Sequence, residues 1–484
     1  MKKYILGNIC FIQSGGTPDR SVSEFYNSPD ISWAKVGDLE EGKSITTTEE
    51  FISNEGLKSI GNRVFEKGTV LLALYGSTLG KTCITEIRLS CNQAVLGLFS
   101  KDSNILDNTY LKYWFDYNKE RIVFRQKGGA QKNLNADYIK KLGIVLPSIS
   151  HQRKSVALLE QIQTLISDRI KSMNILDEYL QNIFLDMFLE NPLFEAGSDY
   201  WGKVSDVLKD TIYGTAKKAN SDQKGIPVIR MNNITYKGEI DIQNLKWVEL
   251  ESKESEKLKL NDGDILFNRT NSKELVGKTA VWESGDGFTF AGYLVKLVLN
   301  QDKMIPYYFS DYMNSHFGKR ILFYKGKSSG SQVNFSASLL KTQKILIPPI
   351  EMQRDYEKVY LNVKAQKQSF AKSLYLLKEL FQSALNDAFK DNNENDKDEI
   401  DLLIADDIRL ELFLNTFVNS DYQNEELYSI EIERLFTILE RTSNENNKNT
   451  NNKKGIIQRL EKAKIIIEAN REYKNRLLDE AITS

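Results

Sequence analysis

The sequence predicts an α+β protein in which two β-rich domains are each followed by one long α-helix. Two observations lead to this fold class. Segments of the first half of the chain return in the same order in the second half, and each copy changes from short strand-like runs to a long helical pattern. Because 484 residues correspond to roughly three domains of ordinary size, a further region follows the two copies.

The internal repeat consists of four pairs of matching segments at nearly constant spacing. They are ISWAKVGDL (31–39) with IPVIRMNNI (226–234), FEKGTVLLALYGS (65–77) with LNDGDILFNRTNS (260–272), LGKT (79–82) with VGKT (276–279), and GAQKNLN (129–135) with GSQVNFS (330–336). The offset between partners rises only from 195 to 201 residues. Four matches in the same order predict a duplicated domain.

Each copy begins with short apolar runs that Gly, Asn and Asp residues separate, as in strands joined by turns. The runs are ISWAKV, TVLLALY, QAVLGLF and GIVLP in the first half, and IPVIRM, DILFNR, YLVKLVL and KILIP in the second. The last run of each copy leads through proline into a helical pattern, in LGIVLPSISHQR (142–153) and QKILIPPIEMQR (343–354). This junction is therefore part of the repeat.

The two helical patterns are long and uninterrupted. Residues 151–188 and 352–389 contain neither Gly nor Pro, and their apolar residues recur at helical spacing. Roughly 38 helical residues would extend about 55–60 Å, which exceeds what one small domain could cover. We therefore expect the helices to pack together, parallel or antiparallel, as a coiled-coil spacer. The alternative is that each helix lies on its own domain.

These patterns divide the chain into five parts. They are a first β-rich domain (1–150), a first spacer helix (151–195), a second β-rich domain (196–350), a second spacer helix (351–390) and a helical C-terminal extension (391–484) with an Asn-rich break at 442–454. The break is too poor in apolar residues to pack against a core.

The net charge of −1 is unevenly distributed. Residues 1–150 carry 19 basic and 16 acidic side chains, giving +3, and residues 196–350 carry 22 and 17, giving +5. Residues 391–484 carry 13 and 21, giving −8. The two β-rich domains are mildly basic, which suits contact with nucleic acid, although solvated faces with a chance imbalance would look the same. The acidic extension is not expected to contact nucleic acid, and it could dock on another protein or on the chain's own helices.

Composition argues against several other classes of protein. No run reaches the ~18 apolar residues of a membrane span, and the N-terminus does not resemble a signal peptide. The three cysteines form no CxxC pair, so we expect a cytoplasmic chain without a disulfide framework. With two histidines, a His-based zinc site or a Ser-His triad is poorly supplied.

Three segments resemble catalytic motifs, but each lacks a residue that its motif requires. A phosphate-binding loop needs glycine where this chain has Tyr75 and Ser272, so neither GKT segment is expected to bind a nucleotide. The NPLF segment (191–194) lacks the second proline of methyltransferase loops. The carboxylates of residues 399–407 lack a lysine at nuclease spacing. We expect no catalysis and no metal site in this chain.

Several segments of the chain resemble those of a known protein family. The segments GNICFIQSGGTPDR (7–20) and WAKVGDL (33–39), together with the junctions LPSISHQRK and IPPIEMQRD, are similar to the specificity subunit of type I restriction-modification enzymes over about residues 1–390. The second copy departs from the first in one loop, where Tyr213-Gly214-Thr215-Ala216 answers Gly15-Gly16-Thr17-Pro18.

The resemblance implies a non-catalytic protein that selects DNA for its partners. Each β-rich domain would read one half of a bipartite target in double-stranded DNA, and the helices would set the unread spacer. Two methyltransferase subunits would bind around the helices to modify adenine, and restriction subunits would join them. S-adenosylmethionine, ATP and Mg²⁺ would belong to those partners, with no cofactor in this chain. The predicted subunit interface is Gln152, Arg153, Gln353 and Arg354.

Polar residues at equivalent loop positions are the predicted DNA contacts. In the first half they are Lys35, Tyr75, Ser77, Lys81, Lys127, Gln131, Lys132 and Asn133. In the second they are Arg230, Asn232, Arg269, Asn271, Lys278, Lys327, Gln332 and Asn334. Amide side chains can bond adenine with two hydrogen bonds, and Arg269 could do so with guanine. The competing interpretation is that these Asn and Gln residues only cap loops.

Two functions of another class remain open. The duplicated domains could bind protein ligands in a non-catalytic scaffold, with the helices as a dimerisation rod. The chain could also be a decoy that sequesters methyltransferase subunits.

Overall fold

The computed structural model describes residues 2–40, 42–76, 78–125, 134–271, 277–325, 327–329 and 332–389. The chain divides into two compact units. The first contains the residues up to Gln163 and the end of the last described helix from Leu380 onward, and the second is Thr164–Glu379. The acidic extension predicted for 391–484, its break at 442–454 and the carboxylates of 399–407 lie outside the described residues.

The first unit is built from short strands with a few helices between them. The strands are β1 (Lys2–Ile5), β2 (Cys10–Ser14), β3 (Ile31–Ala34), β4 (Glu50–Ile52), β5 (Val70–Ala73), β6 (Thr82–Ile84), β7 (Ser90–Cys91), β8 (Val95–Ser100) and β9 (Gly143–Leu146). The helices are α1 (Leu6–Ile9), α2 (Asn54–Ser59), α3 (Asn108–Arg125), α4 (Ala136–Lys141) and α5 (Ile149–Phe184), of which α5 ends in the second unit.

The strands of the first unit form three small sheets, in the orders β2-β8-β5-β6, β4-β3-β7 and β1-β9. All neighbours are antiparallel except β3 and β7. All four residues of β5 are buried, which explains why the run TVLLALY is continuously apolar and does not alternate. Leu71 and Ala73 of this strand pack with Phe65, Leu89 and Val95 in one core.

The second unit contains the second copy. Its strands are β10 (Trp201–Lys203), β11 (Leu208–Tyr213), β12 (Ile226–Ile229), β13 (Lys246–Val248), β14 (Ile265–Asn268), β15 (Thr270–Asn271), β16 (Thr279–Val281), β17 (Thr289–Phe290), β18 (Leu294–Leu299), β19 (Lys327–Ser329), β20 (Gln332–Asn334) and β21 (Lys344–Leu346). Its helices are α6 (Ser252–Lys257), α7 (Pro306–Asn314), α8 (His316–Lys325), α9 (Ala337–Lys341) and α10 (Ile350–Phe389), of which α10 ends in the first unit.

The sheets of the second unit repeat those of the first. Their orders are β11-β18-β14-β16, β13-β12-β17 and β10-β21, so each sheet has a counterpart with the same connections. The parallel pair β12–β17 likewise matches the parallel pair β3–β7. A further sheet, β15-β20-β19, completes this unit. The duplication predicted from the sequence is confirmed by this strand order.

The loop after the first long strand is also equivalent in the two copies. A Cβ atom at Gly15 would lie 2.0 Å from the carbonyl oxygen of Cys91, and one at Gly214 would lie 2.3 Å from that of Ala291. Both positions therefore require glycine because the backbone passes too closely for any side chain. The structure therefore makes Gly214 equivalent to Gly15, whereas the sequence alignment of Gly15-Gly16-Thr17-Pro18 with Tyr213-Gly214-Thr215-Ala216 had placed it against Gly16.

The two long helices pair with each other in the second unit, and they are antiparallel. The guanidinium of Arg169 lies 4.4 Å from the ring centre of Phe370, and the ring centres of Phe184 and Tyr356 are 5.3 Å apart. As residue numbers rise along α5 they fall along α10. The predicted helix pair is thus present, in one of the two orientations that the sequence left open.

The far end of each long helix is packed into a domain core by aromatic residues. In the second unit Phe188, just beyond the end of α5, lies 4.6 Å from Tyr308 between ring centres. In the first unit Phe389 at the end of α10 lies 4.8 Å from Tyr110, whose hydroxyl donates a 3.1 Å hydrogen bond to the carbonyl of Ala388. Aromatic pairs of this kind stabilise beyond their buried area. Each unit is therefore completed by the end of the helix that begins in the other.

Candidate nucleic-acid interface

A buried glutamine holds the junction between strand and helix in the first unit. The side chain of Gln152, which is fully buried, lies in the first turn of α5. Its Oε1 accepts a 3.0 Å hydrogen bond from the backbone N–H of Asp107, and its Nε2 donates to the carbonyls of Ile105 (2.8 Å) and Pro147 (3.0 Å). The amide thus satisfies three partly buried backbone groups with a single side chain.

Gln353 makes the same three bonds in the second unit. It is fully buried, its Oε1 accepts from the N–H of Ile305 at 2.9 Å, and its Nε2 donates to the carbonyls of Lys303 (3.1 Å) and Pro348 (2.8 Å). We call Gln152 and Gln353 with their bonded backbone groups the junction clamps. They give the repeated Pro and Gln of the two junctions one structural purpose, which is to fix a domain to the start of its helix.

The junction clamps decide which residues of the predicted subunit interface a partner could contact. Neither glutamine side chain is available to a partner, because burial and three hydrogen bonds hold it inside its own unit. Arg153 and Arg354, the next residues, are exposed on the helix surface, and Arg354 forms a 3.4 Å ion pair with Glu351. The interface proposal therefore falls on the two arginines.

Among the predicted DNA contacts of the first half, Lys35 is already paired. Its Nζ lies 2.7 Å from Glu50 and 3.3 Å from Glu49, and the hydrogen bond with Glu50 raises the pKa of the lysine. Tyr75 and Lys81 are partly exposed. The remaining predicted contacts, Ser77, Lys127, Gln131, Lys132 and Asn133, lie outside the described residues.

In the second half, one predicted contact proves to be internal. Lys278 is buried, and its Nζ donates to the carbonyls of Met231 (2.9 Å) and Ile234. Burial lowers the pKa of this lysine. Its ammonium therefore supports the turn that contains the predicted contacts Arg230, which is partly exposed, and Asn232, which is exposed. A direct phosphate contact by Lys278 would require breaking these bonds.

The other five predicted contacts of the second half come together around one small sheet. Strand β15 pairs with β20, and β20 pairs with β19, so that Thr270 and Lys327 both lie opposite Asn334. The sheet thereby contains or adjoins Arg269, Asn271, Lys327, Gln332 and Asn334. For Asn271, Lys327 and Gln332 only the backbone is described. Asn271 and Lys327 are more than 50 positions apart in the sequence, and the fold brings them into the same sheet.

Arg269 and Asn334 form the best-defined part of this cluster. The Nη2 of Arg269 donates to the Oδ1 of Asn334 at 3.1 Å, and the hydroxyl of Thr270 donates to the same oxygen at 2.9 Å. The guanidinium also lies 5.1 Å from the ring centre of Tyr213. These contacts hold the planar guanidinium of Arg269 in one orientation. We refer to Arg269, Asn334 and Tyr213 as the Arg269 cluster.

Two residues that take part in contacts between an arginine and an aromatic ring, Tyr213 and Arg20, were not predicted from the sequence. Tyr213, which is 46% exposed, belongs to the segment that the repeat set against Gly15-Gly16-Thr17-Pro18, and this position was the available signal. In the first unit the guanidinium of Arg20 lies 4.6 Å from the ring centre of Tyr26 and 2.8 Å from Glu50. Arg20 follows the Gly-Gly-Thr-Pro loop. Both units therefore place an arginine beside an aromatic ring near this loop.

The described part of the chain also limits which other kinds of site it can hold. It contains no helix long and apolar enough to cross a membrane. Its His, Cys, Asp and Glu side chains do not gather in any group of three or more that could hold a metal ion. All three cysteines are buried, and burial raises the pKa of Cys10 and of Cys83 to about 12. The thiols are therefore protonated and poor nucleophiles at neutral pH.

Comparison with known families gives the decisive observation. The family model of the type I restriction modification DNA specificity domain matches residues 1–174 and again residues 203–359. The two matches together span more than half of the chain. The chain belongs to this family. The second match begins and ends within the second copy of the repeat and its helix start, so both copies are specificity domains.

The curated proteins that this chain resembles include specificity subunits of type I restriction enzymes. It is 34% identical over 160 residues to a putative type I restriction enzyme MjaX specificity subunit of Methanocaldococcus jannaschii, a match that covers 32% of this chain and 37% of that one. It is 21% identical over 379 residues to the EcoKI specificity subunit of Escherichia coli K12, covering 74% and 81%. The chain thus spans about a third of the first relative and most of the second.

Solved structures show the same fold. The S subunit of a type I restriction-modification system from M. genitalium matches with a TM-score of 0.50 at 14% identity, covering 80% of this chain and 95% of that one. A chain from a study of complex assembly and conformational transition in the type I system matches with a TM-score of 0.52 at 16% identity, covering 80% and 97%. The predicted fold class, with two β-rich domains and paired long helices, is confirmed.

Proposed function

We propose that this chain selects the DNA target of a type I restriction-modification enzyme. Each β-rich domain reads one half of a bipartite site, and the paired helices determine the length of the unread spacer. The observation that carries the proposal is the duplication of one sheet topology, in which each copy is joined to a long helix by the same junction clamp. Two copies of one reader in one chain suit a target with two specified parts.

Sequence is read by side chains at base edges, whereas contacts to phosphates supply affinity and position. In the second domain the Arg269 cluster offers the planar donors of Arg269 and the amide of Asn334 on one small sheet. Lys327 lies opposite Asn334 on the neighbouring strand, where a cation suits the DNA backbone. We assign base recognition to the cluster and phosphate contact to this lysine.

The chemistry belongs to partner subunits. The family's specificity subunits work with methyltransferase and restriction subunits, and we propose two methyltransferase subunits because the chain presents two helix starts with an exposed arginine, Arg153 and Arg354. S-adenosylmethionine, ATP and Mg²⁺ would be bound by those partners. We propose that this chain itself transfers no methyl group.

Removal of the amides of the second domain should relax one half of the target. The double substitution Gln332→Ala and Asn334→Ala removes two candidate base contacts, each of which contributes on the order of 1–3 kcal/mol to discrimination. We expect one half-site to become degenerate while the other stays unchanged. The measurement is genome-wide sequencing of methylated bases in cells that carry the variant with its partner subunits.

Lys327→Ala is the matched control on the same sheet. A lost phosphate contact should weaken binding to all sequences about equally and reduce its salt dependence, leaving both half-sites specified. If the double variant keeps both half-sites, this sheet does not read bases. If both half-sites degrade together, the two domains are not independent readers.

A further inference from the structure

A tight turn of the second domain, residues 234–240, carries two charged side chains toward the long helices. Ile234 and Ile240 pair across the turn, and the N–H of Thr235 donates to the carbonyl of Glu239 at 2.8 Å. Gly238 has a φ of +81°, and a Cβ there would lie 2.4 Å from Nδ2 of Asn314 on α7. The turn is therefore held closely against the domain that contains it.

An ionic network connects this turn to both long helices. Nζ of Lys367 on α10 lies 2.8 Å from Oδ1 of Asp177 on α5 and 2.8 Å from Oε1 of Glu239 on the turn. Lys237 on the turn pairs with the other carboxylate oxygen of Asp177. Lys367 and Asp177 are only 20% and 26% exposed, so solvent screens their contact less than it screens a surface pair. We call these four residues the helix–turn network.

The electrostatic effects on the two central residues agree with this geometry. Desolvation acts to lower the pKa of Lys367, but hydrogen bonds with Asp177 and Glu239 outweigh it and raise the pKa. Desolvation acts to raise the pKa of Asp177, and the bonds from Lys237 and Lys367 outweigh it and lower the pKa. Both groups are therefore charged at neutral pH, and losing either one leaves its partners poorly compensated.

The turn continues directly from the segment that contains predicted DNA contacts. The backbone N–H of Arg230 donates to Oδ1 of Asn233 at 3.0 Å, and Nδ2 of this buried asparagine donates to the carbonyl of Asp241 at 2.8 Å. Lys278 bonds the carbonyls of Met231 and Ile234 from below. Residues 230–241 are thus one internally bonded piece, and its charged end is attached to the helices.

We propose that Lys367 and Asp177 are positioning residues, which set the orientation of residues 230–241 on the spacer helices and thereby control reading of the second half-site. This inference rests on the proposed function. The network acts through the turn and touches no DNA itself. Because it joins α5, α10 and the turn at one point, it also defines the register in which the antiparallel helices pair, as polar contacts within helix pairs can do.

The first domain uses a different contact at the equivalent place. Gly42 corresponds to Lys237 at the repeat offset of 195 residues, and it carries no charge. A Cβ at Gly42 would lie 2.4 Å from Nε2 of Gln163 on α5, so this loop packs on the helix through a bare backbone. The inference therefore makes an asymmetric prediction, in which charge changes in the network affect only the second half-site.

The test compares Lys367→Glu with a variant in which all four charges are inverted, K367E/D177K/E239K/K237E. The single change places like charges together, and the fourfold change restores every attractive pair. Each chain is produced with its partner subunits, and methylation rates are measured on the cognate DNA and on targets altered in one half-site or by one base pair of spacer. Lys358→Glu, which breaks an exposed 2.9 Å pair with Asp355 on the same helix, is the matched control.

We expect Lys367→Glu to reduce discrimination at the second half-site by about tenfold, within the range for loss of one base contact. Discrimination at the first half-site should stay unchanged, the fourfold variant should recover, and Lys358→Glu should resemble the wild type. If Lys367→Glu does not fold, Lys237→Ala, which removes only the exposed turn-side cation, should give a smaller loss at the same half-site.

Two outcomes would overturn the inference. Equal loss at both half-sites would mean that the network only stabilises the protein, and unchanged discrimination would mean that it positions nothing. Wild-type protein with its partners is measured first. If it methylates no specific sequence, the proposed function fails before the network is tested.

Discussion

Gln353→Ala should lower the free energy of unfolding by about 3–5 kcal/mol, since two buried backbone groups and one partly buried group lose their partners and each unpaired group costs roughly 1–3 kcal/mol. The groups are the N–H of Ile305 and the carbonyls of Lys303 and Pro348. The loss also loosens the start of α10, which begins three residues earlier at Ile350. Chemical denaturation of the purified chain measures the effect.

Arg354→Ala is the control for this prediction. The next side chain on the helix is exposed, so its removal should change stability by less than about 0.5 kcal/mol. Gln353→Glu keeps the size of the side chain but loses the amide donor to two carbonyls, and we expect it to be nearly as harmful as alanine. A loss below about 1 kcal/mol for Gln353→Ala would show that water replaces the amide and that the clamp is not needed.

Lengthening both long helices by one turn should lengthen the DNA spacer. Leu165 lies one turn before Arg169 on α5, and Leu374 lies one turn after its partner Phe370 on α10, so four residues inserted after each position keep the antiparallel pair in step. Four residues add roughly 6 Å to a helix, which is close to two base pairs at about 3.4 Å each. We expect methylated targets with the same half-sites and about two more unspecified base pairs.

The comparison for this prediction is an insertion after Leu165 alone. It should disturb the pairing of the helices and reduce activity without defining a new spacer, because α10 then has no matching turn. Sequencing of methylated positions distinguishes the two variants. A matched insertion that still methylated the original spacer would mean that the helices do not measure it.

Local patterns in the sequence were sufficient for much of the fold. The apolar runs became strands β3, β5 and β8 and their counterparts because residues of one strand are contiguous in sequence. The helices followed from their uninterrupted apolar spacing. Their antiparallel orientation did not, since an apolar stripe fits a partner in either direction. The contacts of Arg169 with Phe370 and of Asp177 with Lys367 show it.

The candidate site was less predictable because its contacts join distant residues. Gln152 accepts a hydrogen bond from Asp107, which lies 45 residues away. The repeat therefore identified the glutamine but not the hydrogen bonds that it makes. Lys278 was expected in a loop facing DNA, yet two backbone carbonyls of a strand-connecting turn bind its ammonium. Arg269 and Asn334 were both predicted as contacts, but only the fold places them 3.1 Å apart.

The most direct test of two readers on one chain is a genome-wide map of methylated bases in cells that carry the wild-type chain with its partner subunits. The account predicts a motif with two specified blocks, separated by a constant number of unspecified base pairs. A single uninterrupted motif, or two blocks at variable separation, would contradict it.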